Sequence, residues 1–171
     1  MADPKNEFTQ VTKLLVEAIG NPGSRTFRIL VDSGSSSATV WLEKEQLLQL
    51  AVAIQELISN IPETIPDQDM SLMEREAPGL TRLDFKADSL ALGHDETRDI
   101  FVIDAHDPED EDYRTVTIRI WASREQVSEL AQIGLEVCSA GRPICPLCST
   151  PINLDGHICP RTNGHVGGVE I

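Results

Sequence analysis

Cys145-Pro-Leu-Cys148, followed by His157-Ile-Cys159, is the one stretch of the sequence where reactive side chains cluster at a spacing that chemistry can use. Two cysteines separated by two residues fit one tight turn, so both sulfurs can face a single metal ion. If residues 157–159 are extended, the period of two sends His157 and Cys159 to the same side. Three thiolates and one imidazole close a tetrahedral Zn²⁺ site with no open position for water, so the ion is expected to be structural and not catalytic. His165, six residues past Cys159, competes for the fourth position. His157 is preferred because it lies inside the loop that the cysteines already close. So short a segment has almost no core of its own and would need the metal to be ordered.

The rest of the chain must position this knuckle, and its composition limits what it can be. Fourteen Lys and Arg against 28 Asp and Glu give a net charge of -14. Such a field repels the phosphate backbone, which disfavours nucleic acid as a partner and favours basic ones. Cysteines packed into Cys-x-x-Cys order fit a metal site in a reducing compartment better than a secreted disulfide framework. The first residues carry neither a basic start nor an apolar run, and no stretch is long and apolar enough to span a membrane. A soluble, cytoplasmic protein is expected.

Two segments of the chain read alike. Residues 12–19, 25–31 and 38–42 are expected strands, separated by Gly20-Asn-Pro-Gly23 and by a serine loop at 32–37 expected to be flexible. From Lys44 the period changes, and Leu47, Leu50, Ala51, Ile54, Leu57 and Ile58 fall on one face of a helix. Strands at 89–93, 99–104 and 115–121 follow, then a second helix with Ser123 and Gln126 as a capping box and a stripe of Val127, Leu130, Ala131, Gly134, Val137 and Cys138. A shift of 80 places Trp41 on Trp121, Glu45 on Glu125 and Gln46 on Gln126; a shift of 73 places Gly20 on Gly93 and Arg25 on Arg98.

The expected fold class is therefore α+β: two pseudo-symmetric β-β-β-α repeats forming a mainly antiparallel sheet with helices on one side, plus a small C-terminal zinc knuckle. The segments are 10–60 (first repeat), 61–82 (an acidic connection containing prolines), 83–141 (second repeat), 142–165 (knuckle) and 166–171 (flexible tail). Cys138 matches Ile58 on a buried helix face, so it is read as a small core hydrophobe and not a ligand.

Gly141-Arg-Pro-x-Cys-Pro-Leu-Cys, then Asp155-Gly-His-x-Cys-Pro-Arg-x-Asn-Gly164, resembles the ending of an uncharacterised bacterial family, a domain of unknown function. Pro-Gly-x-Arg-Thr-Phe at 22–27, Leu-Glu-Lys-x-Gln at 42–46 and Leu-Ala-Leu-Gly at 90–93 extend the resemblance over nearly the whole chain. It implies no established activity.

Other candidates are weaker. His94 and His106 lie beside acids at strand ends and could do acid-base work or hold a metal, but are better read as loop residues. Arg25 and Arg98 could face each other as an anion site, or each could pair with an acid of its own turn. The acidic loop 107–112 lacks the alternation and glycine of a calcium loop. The expected function is a zinc-stabilised, non-enzymatic binding or adaptor protein with a protein partner. The alternative is a protein or enzyme that binds a small anionic ligand in a cleft between the repeats, using Arg25, Arg98, His94 and His106.

Overall fold

A computed structural model of the chain describes residues 3–21, 23–63, 80–112, 114–140, 145–149, 152 and 156–162. The chain divides into two compact units, Met1–Cys138 and Ser139–Ile171. The larger is α+β. Its strands are β1 (Pro4–Phe8), β2 (Val11–Ile19), β3 (Thr26–Ser33), β4 (Ser36–Leu42), β5 (Arg82–Lys86), β6 (Ser89–Asp95), β7 (Ile100–His106) and β8 (Val116–Ser123). Helix α1 (Lys44–Asn60) follows β4 and α2 (Arg124–Ser139) follows β8. Most of the proposed connection, residues 64–79, lies outside the described residues.

The apolar periods account for these elements. Phe27, Ile29 and Val31 of β3 alternate inward, as do Ala38, Val40 and Leu42 of β4, Phe101, Ile103 and Ala105 of β7, and Ile118, Ile120 and Ala122 of β8. On α1 the buried residues are Leu47, Leu50, Ala51 and Ile54, and on α2 they are Val127, Leu130, Ala131, Gly134 and Cys138. These faces join one core. Cys138 belongs to it, with its Sγ 3.8 Å from the Lys44 carbonyl oxygen.

One expectation is overturned: there is not a single mainly antiparallel sheet but two four-stranded sheets, in the orders β2-β3-β4-β5 and β6-β7-β8-β1. Each is an antiparallel meander with a parallel strand added at one edge, β5 on β4 and β1 on β8. Neither added strand is among those expected, because each has five residues and buries one large side chain, Phe8 or Phe85. Each half of the chain thus runs β-β-β-β-α, and its first strand completes the sheet built by the other half. Parallel neighbours need a crossover, and α1 with its connection supplies the one between β4 and β5.

The residues matched by a shift of 80 hold this exchange. Trp41 Nε1 donates to Asp84 of β5 (2.7 Å) and Trp121 Nε1 to Glu7 of β1 (2.8 Å). The Gln46 side-chain oxygen accepts from the Glu43 N–H, while its Nε2 donates to the Ala87 and Asp88 carbonyls just past β5. Gln126 does the same for Ser123 and, through Nε2, for Val11 just past β1. The shift of 73 does not hold. With Val40 matched to Ile120, the strand registers carry Ile29 to Ile103 and Val16 to Leu92, so Gly93 corresponds to Glu17 and not to Gly20. Gly93 lies within β6, whereas Gly20 turns the chain at φ 105°, where a Cβ would sit 2.8 Å from the Ser24 carbonyl oxygen.

The serine loop is also tighter than expected. Gly34 and Ser35 alone form the turn, and Ser33 and Ser36 are buried strand residues whose hydroxyls accept from the Gln10 and Thr81 N–H groups.

The helices touch at Gly134, where an added Cβ would lie 3.3 Å from Leu47 Cδ1 and 3.4 Å from Ala51 Cβ. The corresponding residue of α1 is Ile54. Gly134→Leu is expected to overpack this contact and cost about 1–3 kcal/mol. Gly134→Ala, whose helix propensity gains about 1 kcal/mol against a tight contact with a flexible leucine tip, is expected to stay within about 1 kcal/mol of the parent. Urea denaturation of both variants checks the pair; equal losses would mean the helices do not approach as described.

Candidate metal centre

In the smaller unit, Cys145, Cys148, His157 and Cys159 place one ligand atom each within 4.8 Å of one another. Two local devices bring them together. The Cys145–Cys148 turn closes with the Ser149 N–H donating to the Cys145 carbonyl oxygen at 2.9 Å, and Ser149 itself takes φ 60°, a left-handed conformation that bends the chain away. Gly156, at φ 85°, then turns the chain into His157, Ile158 and Cys159. Ile158 is 83% exposed while Cys159 is buried and His157 half-buried, so the two donors avoid the face that Ile158 takes. A 3₁₀ turn, Pro160–Thr162, ends the described part of the unit.

Cys148 Sγ lies 3.3 Å from His157 Nε2, and Cys145 Sγ lies 3.9 Å from Cys159 Sγ. Burial pushes the Cys159 thiol above its ordinary value, opposed by the Arg161 backbone N–H and reinforced by the neighbouring Cys148 and Cys145 thiols. A cation at the centre of the four atoms reverses that balance, because it favours the thiolate. Four such donors could hold a metal ion. His165, the competing fourth ligand, lies outside the described residues, as do Arg142, residues 153–155 and the tail at 166–171.

The four side chains considered for an anion site do not line the cleft at the β5–β6 passage. A cleft of about 360 Å³ opens where β5 passes to β6, but it is lined by Asp84, Asp88, Asp107 and Glu109 with Lys86, and by none of the four. Its carboxylates repel an anion. Arg98 pairs with Asp95 in its own turn at 3.0 Å, while Arg25 precedes β3 in the other half. His106 Nδ1 sits 3.6 Å from Asp88. In the acidic loop 107–112, Asp107 accepts from the Glu109 N–H and Asp112 from the Arg114 N–H, while Asp110 pairs with Lys5 of β1. That pairing with Lys5 holds the Asp110 carboxyl below its usual value.

His94 is not a loop residue. Its side chain is 3% exposed, packs on Phe101 with ring centroids 4.6 Å apart, and its Nε2 lies 2.8 Å from Asp99. Arg124, the first residue of α2, donates Nε and Nη2 to the two oxygens of Asp99 at 3.0 and 2.8 Å, and reaches the Ile61 and Pro62 carbonyls past the end of α1. An ionised carboxylate only accepts, so His94 Nε2 carries the proton in this pair. Arg124 was not singled out by the sequence, because its partner stands 25 residues earlier, beyond any local pattern.

This staple ties together the ends of both helices and the β6–β7 turn. The Arg124 guanidinium holds the Asp99 carboxyl below its ordinary value of 3.8 against the opposing effect of burial. A depressed native value contributes stability that is complete above the unfolded value and is lost as pH falls through the native one. Arg124→Ala is therefore expected to cost about 2–3 kcal/mol at pH 7, and the gap to the parent should narrow as the pH is brought below about 4. Urea denaturation at both pH values checks this; an unchanged gap would show that the pair carries no charge-dependent stability.

No curated protein and no solved structure matches the chain at a significant level. A protein-family comparison matches residues 6–159, a span that takes in β2 to β8, most of β1, both helices and all four ligand candidates. The family is described as protein of unknown function (DUF3090), and the chain belongs to it.

Proposed function

We propose that the protein is a zinc-stabilised, non-enzymatic binding or adaptor protein, and that Cys145, Cys148, His157 and Cys159 hold one structural Zn²⁺. The convergence of those four donors carries the reading. Zinc arms of about 2.3 Å to sulfur and 2.0–2.1 Å to nitrogen give tetrahedral edges of about 3.8 Å between sulfurs and about 3.6 Å between sulfur and nitrogen. The observed 3.9 and 3.3 Å separations lie within a few tenths of an ångström of those edges. Softness selects among ions, since three thiolates and an imidazole suit zinc and exclude the hard, oxygen-seeking cations. With four protein ligands no position is left for water or substrate, so the metal serves the fold.

The partner is taken to be a protein. Leu147 is 50% exposed and Ile158 is 83% exposed, each next in sequence to a ligand, so ordering the metal also fixes two apolar side chains in solvent. A Cys-x-x-Cys metal site is kept reduced in a reducing compartment, which supports a cytoplasmic location; no described helix is long and apolar enough to cross a membrane. We also read the two halves as repeats of one unit, on the matching tryptophan and glutamine bonds to the exchanged strands.

Elemental analysis of the purified protein tests the metal. One zinc per chain is expected, lost in Cys145→Ser and in His157→Ala but kept in His165→Ala. No zinc, or zinc lost with His165, would overturn the ligand set. For the adaptor role, zinc-loaded parent and a Leu147→Asp/Ile158→Asp double variant are compared in pull-downs; a partner retained by the parent alone is expected, and identical captures would end that role.

A further inference from the structure

The three thiols of the knuckle differ in access. Cys145 and Cys159 are 5% and 8% exposed, whereas Cys148 is only half-buried, next to the exposed Leu147. Its Sγ lies within 4.8 Å of both other sulfurs. Around a bound Zn²⁺ all three are thiolates, and three thiolate charges outweigh the two of the ion. Electron density therefore stays on sulfur, and the sulfur that solvent reaches is the one an oxidant meets.

Resting on the zinc reading above, we propose that Cys148 is the point at which a hydroperoxide oxidises the knuckle, and that the disulfide it then forms expels the metal. The Cys148 thiolate attacks the hydroxyl oxygen of the peroxide. An S–O bond forms, the O–O bond breaks, and the leaving alkoxide or hydroxide takes a proton from water, leaving Cys148 as the sulfenic acid. The thiolate of Cys145 or Cys159 attacks that sulfur; the S–S bond forms and hydroxide leaves. Two thiolates have lost two electrons, and the O–O bond has gained them. One thiolate and one imidazole remain, too few to retain the ion, and the unit's order goes with it. Cys138 is buried in α2 against the Lys44 carbonyl. The device couples the knuckle's exposed apolar pair to the peroxide level around the protein.

The test uses full-length, zinc-loaded protein treated with hydrogen peroxide, with released zinc read by a chromogenic chelator and disulfides by peptide mass mapping. One zinc is expected to leave per disulfide, with Cys148 in that disulfide, and at least about tenfold faster than any modification of the buried Cys138. Dithiothreitol with added zinc should restore the metal, and Cys138→Ala should release zinc at the parent rate. Zinc held before the peroxide and kept after it overturns this proposal alone, as does a Cys145–Cys159 disulfide with Cys148 unmodified. A protein that holds no zinc before the peroxide is added overturns the zinc reading as well.

Discussion

Each sheet of this protein is finished by a strand from the other half of the chain, and the rest of the larger unit follows from that constraint. β1 lies parallel to β8 and β5 parallel to β4, with Phe8 opposite Ile120 and Phe85 opposite Val40. Without β5 the β4 edge would present unpaired backbone groups along a strand whose inner face is already core, a template for association. Because the missing strand comes from the other half, neither meander closes its own edge. The β1–β8 pairing joins residues more than a hundred positions apart, so loop-closure entropy falls on the last contacts and not on the local meanders. Trp41 and Trp121 then act as hooks, each spending its indole N–H on a carboxylate of the arriving strand.

The acidic composition is handled by the same economy of partners. A net charge of -14 repels itself, and two of the arginines are set against largely buried carboxylates. Arg119 is 5% exposed and meets Asp104 across the β7–β8 pair through Nε and Nη2, both at 2.8 Å, which raises the guanidinium above its ordinary value. Arg124 does the same for Asp99 while also capping carbonyls past the end of α1. Arginine suits both places, because its planar fork binds both carboxylate oxygens at once where a lysine would bind as a point charge. In the 107–112 loop, Asp107 and Asp112 hold the turns by accepting from the Glu109 and Arg114 N–H groups, and that shape needs no bound ion to explain it.

Local periodicity was enough to find the six meander strands and both helices, because each carries several inward apolar residues at its own period. β1 and β5 were not legible, since Pro-Lys-Asn-Glu-Phe and Arg-Leu-Asp-Phe-Lys each offer one large buried side chain and become strands only through a distant parallel neighbour. For the same reason the split into two sheets could not be read: it depends on which strand pairs with which, and the meanders are alike in either arrangement. The ligand cluster was legible because a Cys-x-x-Cys turn and a His-x-Cys run are local patterns whose geometry is nearly fixed by spacing. His94 shows the opposite case. Beside Asp95 and Glu96 it reads as a turn residue, yet the hairpin register puts it opposite Phe101 on the buried face, and its partner is Asp99.

The two units meet different demands for order. The larger one has a core built from both sheets and both helices and holds its shape by burial. In the smaller one the buried side chains among the described residues are Cys145 and Cys159, while Leu147 and Ile158 face solvent. Hydrophobic burial of those two side chains does not by itself offset the entropy of ordering the described backbone around them, about 1–2 kcal/mol per residue. A metal bound only by the folded arrangement, as proposed, would supply the difference and make metal binding and folding one equilibrium. On that reading, acid, chelator or oxidant would each unfold the smaller unit by removing its ligands. A segment whose order hung on one ion in this way would suit a contact that can be withdrawn better than catalytic precision.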